Sequence, residues 1–133
     1  GTIVQVVSSM GSNTDTTSTS ATLSLHTQAI TPTSSSNKIL VICSVFSERV
    51  SASTGHFYSA SIIRGSTDIL SAWANAMNFG LATSARSHAS ASVLDSPATT
   101  SSVTYEIRGV MSNGGGSRFI IYKPILTLLE VVA

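Results

Sequence analysis

Lys38-Ile-Leu-Val-Ile-Cys-Ser-Val-Phe-Ser-Glu48 is the stretch on which the fold turns. Ile39, Val41, Cys43 and Val45 fall on one side of an alternating pattern, and Leu40, Ile42 and Phe46 fall on the other. Alternation with a period of two marks a β-strand. A strand that is apolar on both sides has to be covered on both sides. In an antiparallel sandwich one side meets the core, so the second must meet a loop, a helix or another subunit. The final segment, Pro124 to Val132, repeats the two-sided pattern, interrupted only by Thr127 and Glu130. These two segments predict an oligomer, with Leu40, Ile42, Phe46, Leu126 and Leu128 as its interface residues.

Outward from this strand the same period recurs. Thr2 to Ser8 is β-branched almost throughout and opens the chain as a strand, and the hydroxyl-rich Ser9 to Ser20 reads as a loop or a wet edge. Thr22 to Ile30 alternates and stops at Thr31-Pro32, and Pro32 to Asn37 is a turn cluster. His56 to Arg64 is a further strand, turning through Arg64-Gly-Ser-Thr-Asp68 into Ile69-Leu70. Ser84 to Val93 is polar and alternating, and Asp95-Ser-Pro-Ala98 punctuates it. Ser102 to Met111 places Val103, Tyr105, Ile107 and Met111 opposite Thr104, Glu106 and Arg108. Asn113-Gly-Gly-Gly116 is a turn before a strand at Arg118 to Tyr122. Ser71 to Gly80, with Trp73, Met77 and Phe79, fits either a helical turn or a loop. Eight or nine strands, regular turn signals and no sustained helical period predict an all-β fold: an antiparallel β-sandwich, jelly-roll-like.

Composition narrows the function. The 133 residues correspond to one domain, 1–133, and begin with Gly, as a chain processed or excised from a longer polypeptide would. Hydrophobic residues make up 42% and charged residues only 10%, while 26 Ser and 16 Thr supply most of the polarity. That is too apolar and too weakly charged for a disordered chain. A formal charge of +1 with no basic run argues against a nucleic-acid binder. No apolar stretch approaches a membrane span, and no signal-peptide pattern opens the chain. Cys43, alone in an apolar segment, reads as a small core hydrophobe.

Chemistry finds little purchase. His26, His56 and His88 show no metal-ligand spacing and read as surface imidazoles on strand faces. Serine is abundant, but no G-x-S-x-G singles one out. Asp15, Glu48, Asp68, Asp95, Glu106 and Glu130 are scattered rather than paired, and Asp68 and Asp95 look like turn residues. No catalytic residue, metal or cofactor is expected. The longest loop, Ser71 to Ala91, carries Trp73, Asn75, Asn78, Phe79 and Arg86, residue types that stack on sugar rings or donate to their hydroxyls. It is the candidate receptor loop; the competing reading has Trp73, Met77 and Phe79 plugging one end of the sandwich.

Several segments carry a family resemblance. They are Gly1-Thr-Ile-Val-Gln-Val-Val7, Ile30-Thr-Pro32 with Ser36-Asn-Lys-Ile-Leu-Val41, and Arg64-Gly-Ser-Thr67 with Ile69. Leu94-Asp-Ser-Pro-Ala98 with Ser102-Val-Thr-Tyr105 and Leu126-Thr-Leu-Leu-Glu-Val131 complete the set. In this order they resemble the small C-terminal domain of tail-fibre and other virion-surface proteins of marine bacteriophages, over nearly the whole chain; Ser71 to Ala91 departs from the pattern. The resemblance implies a trimeric jelly roll at the virion surface, a fibre, spike or capsid-decoration component with no enzymatic residues. Its partners would be copies of itself, other virion proteins and a host-surface glycan. The alternative is a monomeric carbohydrate-binding module of a secreted protein, and a small hydrolase ranks below both. Mass in solution separates the first two.

Overall fold

A computed structural model describes residues 1–16, 22–51, 58–71, 85–111 and 118–133. Nine strands run through them: β1 (Ile3–Met10), β2 (Thr14–Thr16), β3 (Thr22–Ile30), β4 (Lys38–Ser51), β5 (Tyr58–Arg64), β6 (Thr67–Leu70), β7 (Ala85–Asp95), β8 (Val103–Met111) and β9 (Arg118–Val131). All pairings are antiparallel. One sheet, A, has the order β1-β9-β4-β7 with β2 also on β9; the other, B, has the order β3-β8-β5-β6. Apart from the β5–β6 hairpin, the chain passes from one sheet to the other at each step from β3 to β9, the jelly-roll way of wrapping two sheets around one core.

The core is where the alternation predicts it. Ile39, Val41, Cys43 and Val45 of β4 meet Leu25, Ile62, Tyr105 and Ile107 from sheet B. Burial pushes the Cys43 thiol up to about 11, so it stays protonated and packs as an apolar group. The expected turn between β5 and β6 forms with Gly65 at φ 57°, a conformation that a side chain would strain.

Three expectations are corrected. Ser9 to Ser20 is not loop throughout: β1 continues to Met10, and β2 pairs with Phe119 to Ile121. The two expected C-terminal strands are one. Lys123 at φ 37° and Pro124 form a bulge, so that Ser44 pairs with Ile125 while Phe46 pairs with Tyr122. Two residues of β9 therefore oppose one residue of β4, and the alternation changes phase. Before the bulge Phe119 and Ile121 point inward; after it Leu126 and Leu128 do, fully buried. Leu126 and Leu128 are core residues and not interface residues, and the outward side chains of this segment are Ile125, Thr127 and Leu129.

Candidate functional site

The outer face of sheet A is assembled by register. At one end Val6 lies opposite Leu129, Leu129 opposite Leu40, and Leu40 opposite Leu94, an apolar row across four strands. The next row is Ser8, Thr127, Ile42 and Ser92, and the one after it Met10, Ile125, Ser44 and Ser90. Tyr122, Phe46 and His88 follow, with the rings of Phe46 and Tyr122 edge to face at 5.9 Å between centroids. Charge enters in the last row, Ile120, Glu48 and Arg86. Val4, Val6, Met10, Ile42, Phe46, Leu94 and Ile125 are between 39% and 58% exposed. Leu40, Ile42 and Phe46, the predicted interface residues of β4, thus all turn outward, with Leu40 the least exposed of the three.

Ser8, Thr127, Tyr122, Glu48 and Arg86 on this face are partnered within the chain. Ser8 Oγ and Thr127 Oγ1 are 2.7 Å apart, and Tyr122 OH donates to Glu48 Oε2 at 2.6 Å. That bond is the main reason the Tyr122 phenol titrates above its ordinary value. Arg86 Nε is 3.5 Å from Glu48 Oε2, with the arginine largely in water. At the same end, Arg118 Nε donates to Asp15 Oδ1 at 2.9 Å, and this pairing holds the Asp15 carboxyl below its usual range. Arg86, assigned from sequence to the receptor loop, therefore lies on a strand face. Trp73, Asn75, Asn78 and Phe79 lie outside the described residues. The strand ends leading into 17–21, 52–57, 72–84 and 112–117 gather at this charged end, opposite Asp95.

Two inward-facing carboxylates, one fully and one partly buried, were missed by sequence reasoning. Glu130 is fully buried, and its Oε1 accepts from Thr33 N at 2.7 Å, Thr33 Oγ1 at 2.8 Å and Asn37 Nδ2 at 2.7 Å. Burial opposes its charge, but the donations from Asn37 and Thr33 prevail and hold the carboxyl below its ordinary value. The group anchors the 31–37 turn to β9. Asp95 is not a turn residue: it ends β7 pointing inward, and its Oδ2 accepts from Arg64 Nη1 and Tyr105 OH, each at 2.7 Å. It ties sheet A to β5 and β8 of sheet B. Burial first, and then this bond, push the Tyr105 phenol up.

His26 departs from the surface reading. It is half-buried between the sheets, its Nε2 lying 2.7 Å from Ser9 Oγ. A Cβ at Gly11 would come within 2.9 Å of His26 Nδ1, so glycine is what lets the chain pass the ring. His88 is exposed on β7, as expected, and His56 lies outside the described residues. Among the described residues there is no group of three His, Cys, Asp or Glu suited to a metal ion, and no helix long and apolar enough to cross a membrane.

No protein-family model matches the chain, and no curated protein matches it. Solved structures do match. A structure of the Gx strain of infectious bursal disease virus superposes with TM-score 0.55 at 13% identity, covering 97% of this chain and 38% of that one. The T13 particle of the same virus gives TM-score 0.57 at 13% identity, covering 97% and 35%. Its VP2 subviral particle gives TM-score 0.53 at 12% identity, covering 97% and 37%. At such identity the likeness is one of fold, a β-sandwich shared with proteins of virus particles. The chain spans little more than a third of the length of those it matches.

Proposed function

We propose that this chain is a structural component of a virus particle, acting by assembly rather than by chemistry. The observation that carries this reading is the outer face of sheet A, apolar and exposed on a sandwich whose fold likenesses belong to virus particles. Monomeric soluble proteins rarely leave apolar patches beyond roughly 300–600 Å² in water unless something docks there. The finer form of the proposal follows the phage resemblance: a trimeric fibre, spike or decoration domain at the virion surface, with host-surface glycan met by the 71–91 segment.

Light scattering on the purified chain at micromolar concentration tests the reading. The expected result is a stable oligomer, with three chains as the mass the resemblance implies. A monomer that binds immobilised glycans would overturn it in favour of a carbohydrate-binding module.

A further inference from the structure

We propose that the outer face of sheet A docks on the same face of a second copy of this chain. The proposal rests on the assembly reading and names its contact surface. Among residues 22–30, 59–70 and 103–109 of sheet B no large hydrophobic side chain is exposed; those that are exposed belong to β1, β4, β7 and β9 or to Val132 just beyond β9. The matching apolar surface that the described chain offers is therefore this face itself, and a like-to-like contact of this kind closes at two chains rather than at the three the phage resemblance implies.

Size supports a stable contact. Four strands about 4.8 Å apart, crossed by four rows about 7 Å apart, make a plate on the order of 500 Å². Two such plates together reach about 1,000 Å², the lower bound for a specific interface. Chemistry supports it as well. The row from Val6 to Leu94 and the central Ile42 have no polar side-chain atoms to desolvate. Ser8 and Thr127 already bond each other, so covering them orphans neither hydroxyl. Charge lies at the two ends of the face, with Glu48 and Arg86 in the last row and Lys38 one row beyond Leu40, where it stays at the rim.

The test uses the whole chain. Sedimentation of the wild type is expected to show an oligomer, and Ile42→Glu to reduce its mass to that of one chain with the melting temperature of the isolated chain retained. Leu94→Glu, at the margin of the plate, repeats the test at a site where folding is still less at risk. Ile42→Cys should give chain-to-chain disulfides under mild oxidation, with no background from the buried Cys43. If the oligomer survives both glutamate substitutions and Ile42→Cys does not cross-link, the face assignment is overturned while the assembly reading stands. A monomeric wild type overturns both.

Discussion

The two outer faces of the sandwich obey different rules. Sheet B presents Ser24, Thr27, Ala29 and Thr104 to water, with Glu106 and Arg108 paired beside them. That is the ordinary antiparallel pattern, apolar inside and polar outside. Sheet A presents Val6, Met10, Ile42, Phe46, Leu94 and Ile125. Both sheets contribute equally regular strands to one core, so the contrast does not come from folding. It shows that the inner alternation specifies the sandwich, while the outer alternation records what lies beyond it. Where the outer residues are hydroxyls and ion pairs, water suffices; where they are aliphatic, the proposed contact with a second copy would take them out of water.

Several substitutions would break or sharpen this contrast. The largest effect is expected inside. Leu128→Ala should destabilise by about 2–5 kcal/mol, because Leu128 is fully buried in the core. Leu40→Ala, on the outer side of the neighbouring strand, should cost the isolated chain much less while weakening self-association. Paired thermal melts and sedimentation separate the two; a small loss at Leu128 would refute the phase change at the β9 bulge.

Next comes Glu130. Glu130→Ala leaves the Thr33 and Asn37 donors without their acceptor, a loss of about 1–3 kcal/mol for an unsatisfied buried group. The pH dependence has a definite sign. The folded carboxyl titrates below its ordinary 4.5, so its contribution is full above that value and disappears as pH falls through the folded one. Denaturant melts of the wild type should weaken across that acid range, and Glu130→Gln should flatten this limb. An unchanged acid limb in Glu130→Gln would show that other carboxylates carry it.

Tyr105→Phe should cost about 0.5–1.5 kcal/mol, since it removes one of the two bonds on Asp95 and leaves Arg64 in place. A melt shift in that range would confirm Asp95 as a tie between the sheets. Arg86→Ala should have the smallest effect, within about 1 kcal/mol, because the pair with Glu48 is solvated and long. Should Arg86→Ala instead abolish self-association, the charged row would belong to the contact and the apolar plate would not suffice.

Much of the sandwich was legible in the residues themselves. Period-two alternation is local, so β7 and β8 emerged within a residue or two of their bounds and β4 within three, and the β5–β6 turn followed from Gly65. The two-sided apolarity of Lys38 to Glu48 foretold that Leu40, Ile42 and Phe46 would face away from the core. The candidate site was legible on that strand alone. Its full extent depends on β1 and β7 lying on either side of the central pair, and no local pattern specifies which strands become neighbours.

What only the tertiary structure decided turns on phase and partnership. Leu126 and Leu128 read as outward-facing until the bulge at Lys123 and Pro124 shifts β9 by one residue, and one residue is enough to exchange its faces. Asp95 and Glu130 look like ordinary polar residues at a turn and a strand end. Their roles come from Arg64 and Tyr105 in one case and from Thr33 and Asn37 in the other, distant in sequence and brought close by the crossing strands. The sequence by itself determined that these residues form strands and which of them are apolar, because those properties belong to each residue and its near neighbours. The tertiary structure decided which side of each strand is inside and which carboxylates can be buried, because both depend on contacts across the sheets.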